Sequence, residues 1–177
     1  MKMSTLQICD LLSLIDASGG KIEHRVRLQK EVFLLRWAGF PILPTLRFTY
    51  DAHGPYSREL SDVLHRAVVS GYLNEKDAGG IYVYEMTAEA SALLGRWRDV
   101  IGPVMALLNS EHWSALELAA TALYLQEDER AAKPLWERAL ALRPTTSSFL
   151  ERARGLVDEL SGFRAKNVAE RGAQMHA

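Results

Sequence analysis

Apolar residues recur along the chain at helical spacing in most segments and at spacing two in a few, and the order of these rhythms sets the expected architecture. Leu6, Leu11, Leu14 and Ile15 predict a first helix over Thr5 to Ile15, closed by Ser18, Gly19 and Gly20. Leu28, Val32 and Leu35 mark one face of a second helix over Arg25 to Ala38, with Arg27, Lys30 and Glu31 off that face; Gly39 and Pro41 stop it. Phe48 and Tyr50 point the same way in a short strand over Leu46 to Tyr50, after which Gly54 and Pro55 turn the chain. Ser57 then stands as N-cap of a helix whose stripe of Leu60, Val63, Leu64, Ala67 and Val68 is a full core face, leaving Arg58, Asp62 and Arg66 outward. Beyond Gly71, the pairs Tyr72-Leu73 and Ile81 to Met86 flank Asp77 to Gly80 as a hairpin.

A helix feeding straight into a hairpin is the order of a winged helix-turn-helix, in which the helix before the wing does the reading. From Thr87 onward the pattern is helical. A long helix runs through Leu94, Trp97 and Ile101, with Gly102 and Pro103 expected to interrupt it. Ser114 with Glu117, and Ser148 with Glu151, read as capping boxes that start two further helices. Pro134 starts another, which Arg143 and Pro144 end. Trp113 to Pro144 has the outline of one tetratricopeptide unit, but no second copy follows at the required period, so a helical hairpin is expected. The fold class read from this pattern is mostly α with a small β wing: a winged helix-turn-helix over 1–95, a helical bundle over 96–162 packed on it, and a flexible polar tail over 163–177.

Composition narrows the partners. The 177 residues are 48% hydrophobic, enough for one substantial core, and the net charge of −1 gives no global field for coating nucleic acid. Any DNA contact must therefore come from a local patch. The single Cys9 excludes an internal disulfide and a cysteine-based zinc cluster. No apolar run has the form of a signal peptide or reaches a membrane span, so a cytoplasmic setting without membrane contact is expected. No cofactor or metal is expected either, since the five histidines form no zinc motif. Gly20-Lys21 lacks the first glycine of a phosphate loop and a strand before it.

Four groups of side chains carry candidate chemistry. Arg25, Arg27 and Lys30 form the best positive cluster, since Lys21 to Arg36 holds five basic against two acidic residues; phosphate contact is the functional reading and a solvated helix face the plain one. Arg58 and Arg66 lie on the outward face of the helix before the wing, beside Glu59 and Asp62, which phosphates would repel. Tyr56, Tyr82 and Tyr84, with His53 and Ser57, form the candidate protein-contact set, because outward tyrosines favour interfaces. Asp51, His53 and Ser57 supply the ingredients of a small hydrolase, though no nucleophile elbow presents the serine.

The segments Arg27 to Lys30 leading into Val32 to Leu35, Phe48 and Tyr50 with Gly54 to Ser57 and Leu60, and Gly71 to Leu73 resemble the YwgA-like bacterial proteins and the related Panacea, or SocA-type, antitoxin proteins. The resemblance covers residues 5–95 best and the helical remainder more faintly. It implies a winged-helix-like fold and a regulatory, toxin-neutralising or defence-accessory role in bacteria or their phages, and it supplies no catalytic residue. Where Panacea proteins open the second helix with tyrosine or histidine, this chain has Lys21 to Arg25. The expected function is thus a non-enzymatic winged-helix module that binds a macromolecule, with protein placed slightly ahead of double-stranded DNA and with self-association left open. A DNA-binding regulator is the alternative within that class, and a hydrolase using Asp51, His53 and Ser57 the alternative outside it.

Overall fold

Helix α2 (Arg25–Trp37) is the axis on which the other elements are laid in the computed structural model, which describes residues 3–94, 97–126 and 133–174. Every residue from Leu28 to Leu35 is buried, including Gln29, Lys30 and Glu31. A helix covered on all sides has no solvent face, so residues expected off the apolar stripe end up inside. Around it stand α1 (Met3–Ala17), α3 (Arg58–Val69), α4 (Trp97–Asn109), α5 (Trp113–Leu125), α6 (Leu135–Leu142) and α7 (Leu150–Gln174). The chain is mostly helical, and one apolar core joins α1 and α2 to Ile101, Val104 and Leu108 of α4 and to Leu116, Ala119 and Leu123 of α5.

The strands form two small antiparallel sheets. β1 (Lys21–Glu23), β5 (Tyr82–Met86) and β4 (Leu73–Asp77) make one in the order β1-β5-β4, with Ile22 opposite Tyr84 and Glu75 opposite Tyr84 on its other side. The hairpin β4–β5 follows α3 directly, as its alternation predicts; β1 is too short to show a period in the sequence. β2 (Thr49–Asp51) and β3 (Gly54–Tyr56) make the second sheet, a tight hairpin between α2 and α3 with Asp51 opposite Gly54. The turn therefore falls at Ala52 and His53, and Gly54-Pro55, expected as the turn, is the returning strand.

Three helix boundaries differ from expectation. α4 runs unbroken through Gly102 and Pro103, because its buried stripe of Ile101, Val104, Met105 and Leu108 outweighs the one hydrogen bond that proline removes. α5 begins before the proposed box: His112 is its N-cap, with Nδ1 accepting from the Ser114 amide at 3.2 Å, so Ser114 and Glu117 are interior helix residues turned inward. Ser148 lies in a 3-10 turn, Pro144–Phe149, that runs into α7 without a break. Of the tail expected to be flexible, residues 163–174 are the second half of α7, where Phe163 packs against Phe40 with ring centroids 6.5 Å apart and Asn167 Nδ2 donates to the Ala38 carbonyl at 2.9 Å; 175–177 lie outside the described residues.

Buried polar contacts tie the helical part to the first. Arg27 pairs with Glu31 at 2.6 Å and donates to the carbonyls of Leu108 and Glu111, closing the C-terminal end of α4. The buried Glu111 carboxylate is in turn held by Arg152 of α7. Burial pushes the Glu31 carboxyl up to about 7, against the pull of Arg27.

Candidate binding site

Three adjoining depressions follow the N-terminal half of α2. The outermost, about 620 Å³, is lined from Ser18 and Lys21 through His24 and Arg27 to Trp113. It meets a second of about 190 Å³, walled by His24, Val26 and Trp113, with Lys30 and Glu117 in its floor and His53 at its edge. Val26, Lys30 and His53 are shared with a third, about 240 Å³, which ends at Tyr56 and Ser61. Together they form a trough between β1 and the start of α5 at one end and the β2–β3 hairpin at the other. At its rim Trp113 is 49% exposed and His53 carries a side chain 65% exposed.

The floor is charged and buried. Lys30 is 2% exposed, and its ammonium donates to the Pro55 carbonyl at 2.7 Å. Glu117, 3% exposed, forms an ion pair with Arg143 at 3.2 Å and lies 3.7 Å from His53 Nδ1. Arg143 also donates to the Asp51 carbonyl at 3.4 Å and sits over the Tyr50 ring. Burial brings the Lys30 ammonium down to about 8; Glu117 pulls it back up and Arg143 pushes it further down. Two largely buried cations thus lie near one buried carboxylate, which pairs directly with Arg143 alone of the two. The Thr121 hydroxyl, the Arg143 Nε and the Tyr50 hydroxyl are buried around the same hairpin without hydrogen-bond partners among the described residues.

Glycine at position 54 makes this seating attainable. Its φ is +88°, and a Cβ there would stand 2.8 Å from the Thr121 hydroxyl and 3.8 Å from Lys30 Nζ. A side chain would lift the hairpin off α5.

The residues singled out in the sequence are distributed differently from expectation. Arg25, Arg27 and Lys30 do not form a solvated patch. Arg25 bonds Glu75 at 2.9 Å and the Tyr84 hydroxyl, with its guanidinium 4.1 Å from the Tyr82 ring centroid; Arg27 clamps α4; Lys30 is inside. Tyr84 is fully buried, its hydroxyl pushed up to about 12 by burial and by its bond to Glu75, while Tyr82 stays at the surface. Tyr56 is half-buried and bonded to Ser61 at 3.1 Å. Arg58 and Arg66 are exposed on α3, Arg66 bonded to Gln7 at 3.1 Å.

The hydrolase trio is not assembled. Asp51 accepts from the Ala52 amide, His53 faces Glu117, and Ser57 is fully buried, capping Leu60 and donating to Glu59. No hydrogen bond joins any two of the three among the described residues. No cluster of three His, Cys, Asp or Glu placed for a metal ion, and no helix long and apolar enough to cross a membrane, occurs among them either.

His24, Trp113, Glu117, Thr121 and Arg143 were missed by the sequence reading. The available signal was the pair Glu117 and Thr121, one turn apart inside the continuous apolar run of α5, where a polar side chain must find a partner or a purpose. No protein-family model and no curated protein matches the sequence.

Proposed function

We propose that the protein is a non-enzymatic winged-helix regulatory module of the YwgA or antitoxin type, which acts by binding a partner protein through the trough along α2. The order helix, strand, helix, hairpin, helix, hairpin supports the winged-helix reading, with β4–β5 as the wing and α3 as the helix before it. The observation that carries the binding reading is the trough itself, an elongated groove with an exposed tryptophan on its wall and a buried lysine in its floor. Tryptophan is among the residues that anchor protein interfaces most strongly. Protein is favoured over duplex DNA because Arg25 and Arg27 are spent on internal contacts, because Lys30 is buried beneath the surface a duplex would touch, and because Glu59 and Asp62 stand among the arginines of α3.

Affinity purification of the tagged chain from its native cells, followed by mass spectrometry, tests this. A protein recovered in stoichiometric amount by the wild type, and lost by Trp113→Ala with little change in melting temperature, is the expected result. Recovery of duplex DNA with no protein would reverse the assignment.

A further inference from the structure

Resting on the protein-partner reading, we infer that the middle of the trough is a carboxylate-binding site, in which Lys30 receives an aspartate or glutamate side chain from an extended segment of the partner. The geometry is that of a built site. Lys30 is 2% exposed, lines both inner depressions, and has one hydrogen bond, to Pro55, leaving two ammonium N–H groups without a partner among the described residues. A lysine ammonium has three donors, and burying one with two unfilled is costly unless an acceptor arrives.

Charge points the same way. Glu117 is already engaged by Arg143 and His53, so the second buried cation has no carboxylate in contact with it among the described residues. Arg27 and Glu31 cancel one another beside it, and Asp51, exposed on the hairpin, bonds its own backbone. Glu117 and Asp51 attract the Lys30 ammonium without touching it, and an incoming carboxylate supplies the direct acceptor that it lacks. Val26 and Trp113 on the walls then take the apolar side chain next to the acid, and the depressions on either side accommodate the residues before and after it. An extended chain advances about 3.3 Å per residue with side chains alternating, so successive residues can reach successive depressions.

The test pans a phage-displayed library of random dodecapeptides against the immobilised full-length wild type and against Lys30→Met, with melting curves to confirm that the variant folds. Retained peptides are then resynthesised with each acid replaced by its amide and titrated against the wild type alone, so that the decisive comparison does not depend on the variant. The expected result is enrichment of one acid beside an apolar residue, with a loss of about tenfold to a hundredfold in affinity on changing that acid to its amide, and no such preference in Lys30→Met. Retained peptides indifferent to the acid overturn the carboxylate assignment while leaving the protein-segment reading intact. An acid preference undiminished in Lys30→Met also overturns it, by placing the acid elsewhere. A library that yields no retained peptide counts against the segment reading and removes this inference with it.

Discussion

At the scale of single residues, the internal charges give the sharpest expectations. Glu31 has its carboxyl raised to about 7 from 4.5, so the folded state holds the proton more tightly than the unfolded chain. Its contribution to stability is therefore fully present below about 4.5 and declines as pH rises to about 7, by on the order of 3 kcal/mol. Glu31→Gln should flatten this part of the stability–pH curve, as denaturant titrations between those limits would show; a curve with unchanged slope would place the proton elsewhere. Gly54→Ala should destabilise by about 1 to 3 kcal/mol, from strained backbone and the clash with the Thr121 hydroxyl. Adding Thr121→Ala should recover the steric part of that loss, and strict additivity would contradict the contact. Ser57 was legible as a cap from its place before an apolar stripe, whereas Lys30 and Glu31 read as surface residues. The spacing of α2 marks its most apolar face but says nothing of a second layer covering the opposite one.

Among the elements, α3 matches its sequence pattern most closely, because its amphipathic stripe has a single core to face. Leu64→Ala in that stripe should cost about 2 to 5 kcal/mol in chemical denaturation, and a loss under half a kilocalorie would mean the helix is not seated as described. The end of α7 is the opposite case. Its sequence is polar and weakly patterned, and order there comes from two anchors, Phe163 on Phe40 and Asn167 on the α2 C-cap Ala38, which no local pattern reveals. Truncation after Gly162 should lower the melting temperature by several degrees, while an unchanged value would restore the reading of this segment as a loose tail. The β2–β3 hairpin was legible as a turn region but misplaced by two residues, since glycine and proline mark turns by habit and here Gly54 is selected by its close approach to α5.

For the molecule as a whole, helix order and the hairpin after α3 were readable, but the trough was not. It is assembled from β1, the start of α2, the β2–β3 turn and the start of α5, so residues as far apart as His24, His53 and Trp113 meet at one place. Only the tertiary arrangement brings them together, and with them the reading shifts from the face of α3 and the wing to the groove beside α2. Hydrogen–deuterium exchange of the chain with and without the partner recovered from its native cells tests that shift most directly. Protection on binding should concentrate in residues 21–31, 51–57 and 112–118, with α3 and the β4–β5 tip unchanged. Protection centred on Arg58 to Arg66 and on the tip of the β4–β5 hairpin, with the trough exchanging as before, would contradict the account.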